Sequence, residues 1–215
     1  MKRSSALLLR ELGPFPGVTQ IGGVAYDGAR VWIATGDRLC AIDPDSGETA
    51  RALDVQAHAG TAFDGEHLYQ IAGDAIQKVD PATGRVVSTV PTPEGGASGM
   101  AWAEGRLWVG QYRARKIHQI DPESGAILRT IESNRFVTGV TWVEGELWHG
   151  TWENEESELR RISPENGEVR EALQMPAGVG VSGLESDGGA QFFCGGGNSG
   201  KLRVVRRPKR QSSGA

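Results

Sequence analysis

The run Trp148-His149-Gly150-Thr151-Trp152-Glu153-Asn154-Glu155-Glu156 brings an imidazole, an indole and a carboxylate within a few positions of one another. An imidazole beside a carboxylate can take a proton from one atom and return it to another, so His149 and Glu153 are the candidate catalytic residues. With His58 the same groups could hold a divalent metal. The histidines carry no ligand-spacing motif, however, and no metal or other cofactor is assigned. Trp152 would wall a pocket with its ring. Around it Gln20, His58, Gln111, Tyr112, Arg113, Thr138 and Asn198 are candidate ligand contacts, polar side chains that do not recur along the chain. The guanidinium of Arg113 or Arg115 presents a fork of donors that matches a carboxylate, so a small polar or carboxylate ligand is expected. The glycine-rich run 195–200 has no helix behind it to receive a phosphate.

A repeat places these residues. Gly-Val-Ala-Tyr-Asp-Gly at 23–28 returns in altered form at 60–65, 99–105, 139–145 and 183–188. The leading glycines Gly23, Gly60, Gly99, Gly139 and Gly183 lie about 40 residues apart, the period of a four-stranded propeller blade. Asp-Gly or Glu-Gly in each copy suits a tight turn that needs positive φ. A second turn, Asp43-Pro44-Asp45-Ser46-Gly47, is echoed at 80–84, 121–125 and 163–167, with proline presetting φ and glycine ending the turn in the left-handed region. Between the turns lie short β-branched and aromatic runs, and no stretch holds a helical period. Trp32, Tyr69, Trp108, Trp148 and Phe192 share one repeat position and Tyr26, Phe63, Trp102 and Trp142 another, as rings packed between neighbouring sheets would.

The fifth copy ends without a Pro-containing turn or an outer strand, while residues 6–12 precede the first copy as an outer strand would. Pairing the two closes a ring and removes its exposed edges. The expected fold is all-β, a five-bladed β-propeller of four-stranded antiparallel blades over residues 1–208, closed by the N-terminal strand in the last blade. Residues 209–215 form a basic polar tail. The candidate contacts precede the first strand or follow the second strand of each blade, which puts them around one mouth of the central channel.

A net charge of −4 with one basic cluster, Arg203 to Arg210, argues against nucleic acid. The apolar residues 6–9 are cut off by Arg10 and Glu11, too short for a signal segment. No run approaches the roughly 20 apolar residues of a membrane span. A cytoplasmic protein, monomeric and away from membranes, is expected. Cys40 and Cys194 have no zinc or disulfide spacing.

The chain resembles the glutamine cyclotransferase family, the plant and bacterial type of glutaminyl cyclase, over nearly its whole length. The likeness is carried by Val18-Thr19-Gln20-Ile21-Gly22 before Tyr26-Asp27-Gly28, by Leu68-Tyr69-Gln70-Ile71, by Val137-Thr138-Gly139-Val140-Thr141-Trp142, and by Trp148-His149-Gly150-Thr151-Trp152 with the turn that follows. The resemblance implies a five-bladed propeller in which Gln20 and Trp152 fall on family pocket positions. The family's proton-shuttling glutamate falls on Ile33, which cannot transfer a proton, and its pocket tryptophan falls on Gly73. Its asparagine falls on Thr138 and its lysine on the 195–197 glycines. The implied function is binding of a small molecule or peptide end at the channel mouth without glutaminyl cyclase activity. The alternative is an enzyme on the same face, a lyase or cyclising acyltransferase using Glu153 and a histidine, as a looser likeness to the streptogramin-cleaving lyases suggests. A protein-interaction platform is the third reading.

Overall fold

The computed structural model describes residues 1–209, and among these every regular element is a strand. Two strands, β1 (Lys2–Ser5) and β2 (Leu8–Leu12), precede the first blade. Blade one is β3 (Gly23–Tyr26), β4 (Val31–Ala34), β5 (Leu39–Ile42) and β6 (Thr49–Leu53). Blade two is β7 (Thr61–Phe63), β8 (Leu68–Ala72), β9 (Ala75–Val79) and β10 (Val86–Pro91), and blade three is β11 (Met100–Ala103), β12 (Arg106–Gln111), β13 (Lys116–Ile120) and β14 (Ile127–Glu132). Blade four is β15 (Val137–Val143), β16 (Glu146–Thr151), β17 (Glu158–Ile162) and β18 (Val169–Gln174). Blade five holds β19 (Gly183–Ser186), β20 (Gln191–Gly195) and β21 (Leu202–Arg206), completed by β2, which runs antiparallel to β21 from Leu8 opposite Val205 to Leu12 opposite Leu202. The ring is therefore a five-bladed propeller closed by the N-terminal strand. No helix of the described residues is long and apolar enough to cross a membrane.

Each outer turn forms because its first side chain satisfies the backbone behind it. The Asp43 carboxylate accepts from the amides of Asp45 and Ser46 at 2.9 and 3.0 Å, and Gly47 ends the turn at a φ of +75°. The Asp27 carboxylate does the same for the inner turn and also accepts from the Trp32 indole at 2.7 Å. That bond fixes the ring which then packs against the next blade. Between blades the rings meet as expected: Tyr69 stacks on Trp102 at 5.3 Å, Trp108 on Trp142 at 5.7 Å, and Trp148 tilts against Phe192 at 5.0 Å. Large rings bury roughly 150–250 Å² each, so these contacts dominate the interfaces.

The innermost strands touch one another in the order β3, β7, β11, β15, β19 and back to β3. The leading glycines make this possible. A Cβ on Gly60 would lie 2.6 Å from the Met100 amide nitrogen, and one on Gly183 would lie 2.8 Å from that of Val24. The repeated glycine is thus where neighbouring backbones abut.

One strand is a finding beyond the expected architecture. β1 joins blade four as a fifth strand, parallel to β18 from Lys2 opposite Glu171 to Ser5 opposite Gln174. All of its residues are exposed, so no hydrophobic alternation marks it. Backbone pairing holds it, with bridges from Lys2 to Glu171 at 3.2 Å and from Arg3 to Glu158 at 3.3 Å. Of the expected tail, residue 209 is described and residues 210–215 lie outside the described residues.

Candidate functional site

A pocket of about 440 Å³ opens where the loop after β12, the end of β16 and the loops flanking β19 and β20 converge. Tyr112 and Trp152 supply its rings. Thr138, Ser182, Asn198 and Ser199 supply its hydroxyls and amide, and Val181 with glycines at 178, 180, 196 and 197 supplies the rest. The sequence-predicted contacts Tyr112, Thr138, Trp152 and Asn198 are brought together here.

Each is held for a physical reason. Tyr112 stacks on Phe136 at 4.7 Å, and its hydroxyl donates to the Trp152 carbonyl at 3.4 Å, which links the two rings. Thr138 lies in β15 beside Gly150 of β16, where an added Cβ would come 2.5 Å from the threonine hydroxyl. That hydroxyl is buried and has no hydrogen-bond partner among the described residues. An orphaned buried hydroxyl costs about 1–3 kcal/mol unless something outside the chain satisfies it. Ser182 is tied down differently: it accepts from the Gly197 amide at 2.9 Å and donates to the Ile21 carbonyl. This pins the glycine-rich loop against blade five.

The other predicted residues stand elsewhere. Gln111 is buried, and its amide donates to the Glu94 and Gly96 carbonyls at 2.8 and 2.9 Å while its oxygen faces His118 Nε2 at 2.9 Å. Its hydrogen bonds tie a loop. His58 is exposed, and its Nδ1 accepts from the Gly73 amide at 2.9 Å. Gln20 and Arg113 are exposed and outside the pocket lining.

The expected acid–base pair is not assembled at the pocket. His149 is wholly buried, its Nδ1 donates to the Gly150 carbonyl at 3.0 Å, and its Nε2 is enclosed without a partner among the described residues. Burial lowers its pKa to about 4, and the nearby Arg160 charge acts in the same direction. Glu153 is held by Arg115 at 2.7 Å and by Arg135 at 3.7 Å, so its carboxylate closes an ion-pair network between the third and fourth blades. Nor do His58, His149 and Glu153 form a ligand set: among the described residues no group of three or more histidine, cysteine, aspartate or glutamate side chains is placed to hold a metal. Sequence reasoning did not single out the wall at 178–181 or Ser199. Their only signal was small residues in loops, which the period does not index.

The family model described as outer membrane protein assembly factor BamB matches residues 72–208. No curated protein matches the chain. Among solved structures, the glutaminyl cyclase of Myxococcus xanthus superposes with a TM-score of 0.79 at 17% identity, covering 95% of this chain and 97% of that one. The hydrazine synthase of Kuenenia stuttgartiensis gives 0.53 at 15% identity over 91% of this chain and 60% of that one. The WD40 propeller domain of Doa1 gives 0.54 at 13% identity over 95% and 98%. At these identities the likeness is one of fold.

Proposed function

The chain belongs to the family described as outer membrane protein assembly factor BamB, and from that premise we propose that it works by binding, with its mouth pocket receiving a small uncharged polar molecule or the end of a peptide. The orphaned Thr138 hydroxyl carries the reading, because it is a buried donor and acceptor held at the pocket without an internal partner. Trp152 and Tyr112 offer flat faces to a planar group such as an amide, and Asn198 and Ser199 offer hydrogen bonds at the rim. None of the lining residues is a carboxylate, an imidazole or an amine. That favours binding over proton transfer, and Ile33, buried in the blade where the glutaminyl cyclases carry glutamate, favours it further.

The test is a thermal-shift screen against amino-acid amides, N-terminal glutaminyl peptides and small carboxylates, run on the parent and on Thr138→Val. A ligand that binds only the folded state raises the melting temperature. Without ligand, Thr138→Val should melt about 3 °C higher, since an unsatisfied hydroxyl of roughly 1 kcal/mol is removed. It should also lose the ligand-induced rise. A ligand response unchanged by Thr138→Val would remove this site from the binding reaction. Release of ammonia from a glutaminyl peptide would overturn the non-catalytic reading.

The interaction-platform reading has its own support. Val86 and Val87 on β10 and Ile127 and Leu128 on β14 are exposed apolar side chains on the outer strands of adjacent blades. The family's description as an assembly factor points the same way.

A further inference from the structure

The outer strands share a position that links each blade to the next. Directly opposite Val204, Ala41, Lys78, Gln119 and Arg161 of the third strands stand Arg10, Arg51, Ser88, Arg129 and Glu171 of the outer strands, each beside a register shift. Three of these are arginines, and each reaches the outer turn of the following blade. Arg10 pairs with Asp45 at 3.7 Å, Arg51 donates to the Ala82 carbonyl, and Arg129 donates to the Pro164 carbonyl at 2.9 Å. Glu171 is bridged to Lys2 and Arg161 instead, and among the described residues blade five has no Asp-Pro turn to be reached.

Blade two breaks the pattern with Ser88. At that junction a notch of about 610 Å³ opens, floored by the stacked Tyr69 and Trp102 and edged by Val87, Ser88 and the turn of blade three. The two acids nearest the floor are already paired, Asp64 with Lys78 and Asp121 with Arg106, both at 3.5 Å. Glu123 is different. It occupies the turn position of Asp45, the partner of Arg10, and among the described residues no cation pairs with it. The Pro122 and Glu123 carbonyls, counterparts of those that Arg51 and Arg129 reach, accept no backbone hydrogen bond among the described residues.

We propose that this notch is a docking site for an arginine side chain carried by a partner polypeptide. The incoming guanidinium takes the place that Arg10, Arg51 and Arg129 take at the other junctions, bonding to a turn carbonyl and to Glu123 at once. Its stem lies along Trp102. Lysine fits poorly, because a compact ammonium lacks the planar fork that bridges two acceptors. The site is on the outer turns and stands independently of the mouth pocket.

Titration of ¹⁵N-labelled protein with N-acetyl-arginine amide tests it. Saturable shifts should gather at the amides of Val87, Ser88, Glu123 and Ser124 and at the Trp102 indole, and N-acetyl-lysine amide should produce markedly weaker ones. Ser88→Arg should melt no lower than the parent and abolish the response, since it supplies the missing arginine in cis. Glu123→Lys should weaken binding by about threefold or more, the effect of losing an exposed ion pair. Equal shifts with lysine, a response that survives in Ser88→Arg, or a fall in the melting temperature of that variant would each overturn the proposal.

Discussion

The wholly buried His149 and the half-buried Glu185 are ionisable groups shifted in opposite directions from their ordinary pKa values. Burial lowers the His149 imidazole from 6.5 to about 4. Burial raises the Glu185 carboxyl from 4.5 to about 7, against the opposing hydrogen bonds from the Thr141 hydroxyl and the Ser186 amide. For the histidine, the unfolded chain binds more protons between pH 6.5 and 4, so its contribution to stability is complete above 6.5 and is lost as pH falls through that window. For the glutamate, the folded chain binds more protons between 4.5 and 7, so its contribution is complete below 4.5 and is lost as pH rises toward 7. Each is worth on the order of 3 kcal/mol, and the two slopes nearly cancel between pH 4.5 and 6.5. Glu185→Gln should expose the histidine slope, with stability climbing steeply from pH 4 to 6.5. His149→Gln should expose the reverse slope. Urea midpoints across this range check both, and parallel curves for parent and variants would show that neither group titrates as described.

At the scale of the strand, spacing is set by the five glycines where inner strands abut. Gly60→Ala would drive a Cβ to 2.6 Å from the backbone of Gly99 and Met100. Backbone cannot move aside as a side chain does, so the change should cost about 3 kcal/mol, the upper range of overpacking. A urea midpoint unchanged by Gly60→Ala would mean that the inner strands are further apart than described. Those same glycines made the blades legible, because a steric requirement that recurs at every blade leaves a period in the sequence. The turns were legible for the same reason: Asp43, Asp80 and Asp121 each cap their own backbone locally. β1 was not legible, since four exposed polar or charged residues acquire strand geometry only from β18 beside them. The site divides along the same line. Thr138 and Trp152 occupy repeat-indexed positions at strand ends, so the period alone could single them out, and both line the pocket. Arg115 and Arg135, which hold Glu153, and the Glu94 and Gly96 carbonyls, which hold Gln111, sit in loops that no period reaches.

For the whole molecule, the question is what holds a ring whose two ends are more than a hundred residues apart in sequence. Blade five gets its outer strand from the N-terminus, so β2 belongs covalently to blade one and by hydrogen bonds to blade five. Lys201 and Arg203 both bond to Glu11, which lowers the Glu11 pKa through the Lys201 hydrogen bond first, and the Leu12 side chain packs against the core that blade one shares with blade five. Removing residues 1–5 takes away β1 and its two bridges, but the buried acids Glu158 and Glu171 keep Arg160 and Arg161 as partners, so the ring should stay closed and unfold cooperatively at a lower midpoint. Removing residues 1–12 is a different operation. It bares the whole edge of β21, and an unpaired edge recruits another strand. That variant should lose its single cooperative transition and self-associate, and a synthetic peptide of residues 1–12 added in trans should restore the transition by occupying the edge. Sedimentation and urea unfolding of the two truncations read the difference directly: if the longer deletion remains cooperative and does not associate, closure resides in the packing between blades and the N-terminal strand is not the latch.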